Sequence, residues 1–259
     1  MGHHFKSAKD YPYLDHPGVI AFAHRGGAVD NLENTMSAFE ASVRLGYRYV
    51  ETDVHVTSDG VLLAFHDDVL DRVTDRAGAI GALPYSEVAK ARVGGKEPIP
   101  LFDDLLNTWP DLRVNIEPKS DEAVGPLIEA IKKADAIDRV CVGSFSAKRI
   151  QQVRDALGER LCTSAGPGEV FRLTLGRFGL PTGRFAAACA QVPIFHKGIR
   201  LTNEAFVRAA SANGLQTHVW TVDDPRVMTD LIEMGVTGIM TDKPQILRDV
   251  LINMGKWQT

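Results

Sequence analysis

The chain has 259 residues, 44% of them hydrophobic, with 29 Lys and Arg against 33 Asp and Glu and a formal charge of -4. That apolar fraction supports a substantial core and argues against disorder, and the even spread of both signs excludes the basic stripe that would neutralise nucleic-acid phosphates. No run of about 18 apolar residues occurs and the polar start lacks a signal-peptide core, so the reading is a cytoplasmic protein with no nucleic-acid partner and no stable membrane insertion, homo-oligomerisation being left open.

In chain order, VIAFAH (Val19 to His24) predicts a first strand and Glu33 to Leu45 a helix. YVETDV (Tyr49 to Val54) is the second strand, followed by a hairpin around Ser58-Asp59-Gly60, since Asp-Gly between alternating apolar runs signals a tight turn. From 68 to 100 the chain makes an excursion with one helix near Ser86 to Arg92. Strands then follow at Arg113 to Lys119, around Val142, at Arg160 to Ala165, Phe185 to Val192, Gln216 to Val222 and Gly238 to Asp242. Helical periodicity between them covers Glu122 to Ala134, Ala147 to Leu157, Asn203 to Ala212 and Pro225 to Met234, the last closed by Gly235. Eight strands alternating with helices, and no GxGxxG after the first, predict a single α/β domain, a (β/α)8 TIM barrel with a small insertion after strand two.

Cys141, Cys162 and Cys189 are odd in number, far apart and set in apolar surroundings, which reads as core thiols rather than a disulfide framework or a zinc site. His3 and His4 carry no metal role.

Strand two places Glu51 and Asp53 on one face, and strand three places Asn115, Glu117 and Lys119 on one face, because side chains alternate along a strand. Carboxylates inside a barrel are costly unless a cation joins them. Three carboxylates from adjacent strands, without clustered Cys or His, suit one hard divalent cation, Mg2+ or Ca2+, better than zinc. Structural salt bridges are the alternative. His24, followed by Arg25-Gly26-Gly27, ends strand one, and His66 ends the hairpin, so two imidazoles at the barrel mouth can serve as acid and base. The glycines leave room for a ligand to approach the main chain. His16, His55, His196 and His218 read as structural or peripheral.

AHRGG, NLENTMSAFEAS, YVETDVHVTSDGVLLAFHDDVLDRVTD, NIEPK, VWTVDD and IMTDKP, in this order across nearly the whole chain, resemble the glycerophosphodiester phosphodiesterase family. The resemblance implies a (β/α)8 barrel that hydrolyses glycerophosphodiesters to glycerol 3-phosphate and an alcohol with Mg2+ or Ca2+. It implies Glu51, Asp53 and Glu117 as metal ligands, His24 and His66 as acid and base, Arg25 and Lys119 as phosphate-binding residues and Trp220 as an aromatic beside the substrate. Two positions depart from the family pattern. Leu32 stands where proline precedes Glu33-Asn34-Thr35, which is expected to change only loop stiffness, and Pro118 removes a strand N–H next to Lys119 and is expected to shift it.

The nucleophile, water or the substrate's own 2-hydroxyl, is left open, as is which histidine is the base. Rival readings are a glycoside hydrolase using Glu51 and Glu117, disfavoured by the charge of Asp53, Lys119 and Arg25, and a non-catalytic barrel that binds a phosphorylated ligand. A zinc amidohydrolase would want His-x-His on strand one. Lysophospholipase D and sphingomyelinase D-like enzymes share the constellation; they need an apolar surface, for which no amphipathic anchor is visible. Phe171, Leu173, Leu175 and Phe178 could border the mouth or form an ordinary outer helix.

Overall fold

The computed structural model describes residues 7–29, 31–176 and 180–258. Eight parallel strands are present: β1 (Ile20–His24), β2 (Tyr49–Val56), β3 (Arg113–Pro118), β4 (Val140–Val142), β5 (Cys162–Thr163), β6 (Cys189–Pro193), β7 (Gln216–Trp220) and β8 (Gly238–Thr241). They hydrogen-bond in the order β5-β4-β3-β2-β1-β8-β7-β6. The remaining seam is joined by a parallel bridge between Ser164 and Cys189, with the Ala165 N–H donating to Cys189 O at 2.8 Å and the Ala188 N–H to Thr163 O at 3.0 Å. The result is the expected eight-stranded barrel.

Outside it run α1 (Met36–Arg44), α2 (Phe102–Thr108), α3 (Val124–Lys133), α4 (Ala147–Leu157), α5 (Pro167–Gly176), α6 (Glu204–Ala212), α7 (Pro225–Glu233) and α8 (Pro244–Asn253). Several start on a side-chain cap: Thr35, Ser146, Asn203 and Asp224 accept from the first-turn N–H groups of α1, α4, α6 and α7. Period-two alternation divides each strand between two cores. Val50, Val54, Val114, Ile116, Val219 and Ile239 face outward against Phe39, Leu105, Leu127, Val207, Leu231 and Leu247. Phe22, Tyr49 and Met240 face inward, where Tyr11, Tyr13 and Leu14 of the N-terminal segment close the floor; the Tyr49 hydroxyl donates to Tyr13 O at 2.8 Å. The three cysteines meet on this floor, buried as free thiols, with Cys141 Sγ 3.9 Å from Cys189 Sγ.

The expected hairpin forms. Leu62–Ala64 pairs antiparallel with β2, Val56 opposite Leu62 and Val54 opposite Ala64. The insertion beyond it has its own small core of Leu63, Phe65, Leu70, Ile80, Val88, Val93 and Ile99. Its helix is shorter than predicted, Tyr85–Val88, because Arg92–Val93 turns into a two-residue strand paired with Glu97–Pro98. Leu32 does more than loosen a loop: it packs against this core, so close to Gly94 that a Cβ there would meet Leu32 Cδ2 at 2.6 Å.

Candidate active site

The C-terminal ends of the strands open into a cavity of about 550 Å³, and His24, Arg25, Glu51, Asp53, His66, Glu117, Lys119 and Trp220 all line it. Strand register explains the convergence. Glu51 lies opposite Asn115 and Asp53 opposite Glu117, while His24 lies opposite Glu51 from the other side, so three adjacent strands deliver their polar groups at one height. Pro118 does not break the pairing: it sits opposite Val54, and the Lys119 N–H still donates to Val54 O at 3.0 Å.

Each of the two histidines is held from behind by a carboxylate. His24 Nδ1 donates to Asp242 Oδ1 at 2.6 Å, which leaves Nε2 3.7 Å from Glu51 Oε2. His66 Nδ1 donates to Asp67 Oδ1 at 2.5 Å. A carboxylate can only accept, so the proton on each ring sits on Nδ1 and Nε2 is left for a ligand. Burial pulls the His24 imidazole down, but Glu51 and Asp242 outweigh it and hold it above its ordinary value.

Glu51 (5% exposed) and Asp53 (2% exposed) are buried acids. Burial first, and the Asp53 charge second, push the Glu51 carboxyl up to about 7. Asp53 Oδ2 has no hydrogen-bond partner, although Arg25 Nε stands 3.4 Å away. Lys119 Nζ bridges Asp53 Oδ1 at 2.8 Å and Glu117 Oε2 at 3.0 Å, and these acids overcome its desolvation to raise it. The three carboxylates are therefore brought to one cavity but not into a closed ligand set. Among the described residues, only the three cysteines have ligand atoms all within 4.8 Å of one another. The excess negative charge at Glu51 and the orphaned Asp53 oxygen nevertheless fit a hard cation, which such oxygen donors prefer.

Arg25 adopts a left-handed conformation, φ 51°, that turns its N–H onto Glu51 Oε2 at 3.2 Å and its guanidinium onto Glu33 Oε1 at 3.1 Å. Gly26 and Gly27 are required by the packing itself: a Cβ on Gly26 would meet Ala38 of α1 at 2.9 Å, and one on Gly27 would meet Pro244 of α8 at 2.6 Å. The NLENT motif is also resolved. Glu33 bonds Arg25 and Arg72, Asn34 accepts from the Thr52 hydroxyl at 2.8 Å, and Thr35 caps α1.

Sequence reasoning missed Asp242, Asp67, Glu33 and Arg72 as supports. Arg72, on the insertion, donates to both Asp67 (2.6 Å) and Glu33 (2.7 Å), which holds both carboxyls below their usual range. The HDD and TDKP motifs were the available signals. Of the weaker histidines, His55 is buried and bonds the His66 carbonyl at 3.0 Å. His218 is fully buried between Gln191 and Gln216, and His16 interacts with the Gly18 N–H. His196 is exposed and borders the cavity. Phe171 lines the mouth from α5, whereas Leu173 is buried on that helix as an outer-helix residue; Phe178 lies outside the described residues.

The chain is 41% identical over 254 residues to a Mycobacterium tuberculosis protein named probable glycerophosphodiester phosphodiesterase 2, covering 95% of each chain. Its backbone superposes on a Silicibacter pomeroyi crystal structure with a TM-score of 0.81 (22% identity, 96% of this chain and 100% of that one). It also superposes on an Oleispira antarctica phosphodiesterase, solved with the product sn-glycerol 3-phosphate, with a TM-score of 0.77 (21% identity, 91% and 97%). The model of the glycerophosphoryl diester phosphodiesterase family matches residues 24–246, from the first cavity histidine into the last helix, and the chain belongs to that family.

Proposed function

We propose that the chain hydrolyses glycerophosphodiesters to glycerol 3-phosphate and an alcohol, with His24 and His66 moving the protons and Glu51, Asp53 and Glu117 holding one divalent cation, Mg2+ or Ca2+. The observation that carries this reading is the convergence of two carboxylate-backed imidazoles on a cavity whose other polar wall is three acids, an arginine and a lysine. When bound, the cation supplies positive charge to the phosphodiester oxygens, where charge builds during attack. Arg25 and Lys119 supply further positive charge to the phosphate. One imidazole accepts the nucleophile's proton as the new O–P bond forms; the other donates a proton to the alcohol oxygen as its bond to phosphorus breaks. Asp242 and Asp67 fix which nitrogen of each ring faces the reaction. Trp220, edge-on to Phe145 with ring centroids 5.8 Å apart, borders the substrate.

The test is release of glycerol 3-phosphate from glycerophosphocholine. His24→Ala and His66→Ala are each expected to lose about 10² to 10⁴ in rate, and excess chelator to stop turnover until Mg2+ or Ca2+ is restored. Full activity in both variants would remove the histidines from the mechanism, and undiminished activity in chelator would remove the cation. Accumulation of cyclic glycerol phosphate would identify the substrate's 2-hydroxyl as nucleophile.

A second reading, hydrolysis of lysophospholipids, is favoured by the apolar part of the same cavity's lining: Val170, Phe171, Ile199, Leu201 and Met240. Comparing glycerophosphocholine with lysophosphatidylcholine in the same assay separates the two. A carboxylate-pair glycosidase is disfavoured because Lys119 already bridges Glu117 and Asp53, crowding the acids with charge.

A further inference from the structure

Between Glu169 and Glu204 the chain carries five cations, Arg172, Arg177, Arg184, Lys197 and Arg200, and no carboxylate, in a molecule whose charge is -4. The same segment supplies α5, β6 and a small hairpin in which Phe195 pairs with Arg200 and His196 with Ile199. All six hairpin residues from 195 to 200 are exposed. Lys197 and Gly198 form its tip, both at positive φ (49° and 79°), and Lys197 makes no ion pair among the described residues.

Large apolar side chains are exposed on this hairpin and at the cavity mouth. Phe195 is 59% exposed and Ile199 66%; Phe171 on α5 is 63% exposed, and Phe145, just after β4, 68%. Phe145, Phe171 and Ile199 line the cavity mouth. Singly exposed apolar residues are ordinary, but a group of them around one opening marks a surface that meets something else. The rim continues into the cavity's apolar wall, so whatever covers the rim also communicates with the reaction site.

The geometry points to a lipid bilayer with anionic headgroups as the body that docks on this rim, the four apolar side chains entering the headgroup boundary while Lys197 and Arg200 meet the lipid phosphates. This docking rests on the phosphodiesterase reading only in that the cavity must take a phosphodiester from the surface it opens onto. Interleaved aromatic and basic groups are the chemistry of interfacial attachment, in which basic residues follow the negative surface potential and apolar ones are buried shallowly. No helix among the described residues is long and apolar enough to cross a membrane, so the attachment is peripheral and reversible. The surface is not an amphipathic helical anchor: it is assembled from a hairpin, a helix and a loop distant in the chain.

The experiment is co-sedimentation of the full chain with vesicles of phosphatidylcholine alone or mixed with phosphatidylglycerol, for the parent protein, Phe195→Ser and Lys197→Glu. Neither substituted residue lines the cavity. The parent is expected to sediment with the mixed vesicles and to be released by salt. Each basic residue at such a surface is worth about fivefold in partitioning, so Lys197→Glu is expected to weaken binding by at least that factor. Phe195→Ser should weaken it without changing salt sensitivity, and both variants should hydrolyse water-soluble glycerophosphocholine at the parent rate. An active parent that ignores mixed vesicles, or variants that bind as the parent does, overturns the proposal. So does a parent that is dimeric in solution and becomes monomeric as Phe195→Ser, which would make a second copy the occupant. Vesicle binding by a parent that does not hydrolyse glycerophosphocholine would sink the phosphodiesterase reading and leave the docking standing.

Discussion

Glu51 gives the site a measurable signature without any turnover. Its carboxyl is raised from 4.5 to about 7, by burial first and by Asp53 second, so the folded protein holds this proton more tightly than the unfolded chain. Below about pH 4.5 both states are protonated and stability is unaffected. Between 4.5 and 7 the unfolded chain releases the proton while the folded one keeps it, so stability falls as pH rises, and above 7 the fall ends. At about 1.4 kcal/mol per pH unit, the gap amounts to about 3 kcal/mol. His24, also raised, adds a loss of the same sign as pH climbs from its ordinary value of 6.5 through its folded value. The assay is urea unfolding in chelator from pH 4.5 to 8, on the parent and on Glu51→Gln. The parent should lose about 3 kcal/mol that the variant keeps, and saturating Mg2+ or Ca2+ should oppose the parent's loss, because only the ionised carboxylate binds the ion. Parallel curves for parent and variant would refute the idea that Glu51 carries an uncompensated charge.

Two further perturbations test the supports. Asp242→Asn removes the charge behind His24 Nδ1, so the imidazole falls back toward its ordinary value; the pH–rate limb that reports His24 should move to lower pH and kcat should drop about tenfold, a part of what an acid–base histidine supplies, while an unmoved profile would make Asp242 merely structural. Gly238→Ala would place a Cβ 2.6 Å from His218 and 2.9 Å from Phe22, both fully buried and unable to retreat. Overpacking of this kind costs about 1 to 3 kcal/mol, read as a lowered urea midpoint at an unchanged m-value; no loss would mean that the barrel interior relaxes there.

The barrel was legible because its signals are local: alternation within strands, one-face periodicity in helices, capping residues and an Asp-Gly turn. The parity of Glu51 with Asp53, and of Asn115 with Glu117, was enough to forecast their common face, and the register of β2 with β3 completed the convergence. Boundaries were less legible at β5, where Gly158–Arg160 forms a 3-10 turn and the strand shrinks to Cys162–Thr163. Helices α2 and α8 carry no Ser, Thr, Asp or Asn cap that bonds their first turn, so no capping residue marked where they begin. Contacts created by closing the barrel were not legible at all. His24 and Asp242 are 218 positions apart and meet because β1 and β8 are neighbours, and the three thiols meet only because β4, β5 and β6 curve around one axis. Lys119 lines the cavity, as its parity on the third strand implied, but its ion pairs with Asp53 and Glu117 depend on the pairing of two strands and were not visible in the sequence.

The insertion belongs to the site in a way that its distance from the barrel strands conceals. His66 leaves the hairpin arm beside Asp67; Asp67 is gripped by Arg72, Arg72 also grips Glu33, and Glu33 bonds Arg25, whose N–H reaches Glu51. Three charged side chains, Asp67, Arg72 and Glu33, thus link one histidine to the arginine that follows the other. A single exposed ion pair is worth little, and Arg72 is 48% exposed. A branched network is different, because moving any member leaves two others without their partners and the remaining bonds resist the motion. Leu32, packed on the insertion core one residue before Glu33, anchors the same junction with apolar contact. The excursion after β2 therefore acts as a brace: through Arg72 and Glu33 it ties the hairpin arm that carries His66 to the turn after β1 that carries Arg25, a connection that no residue on the barrel strands makes by itself.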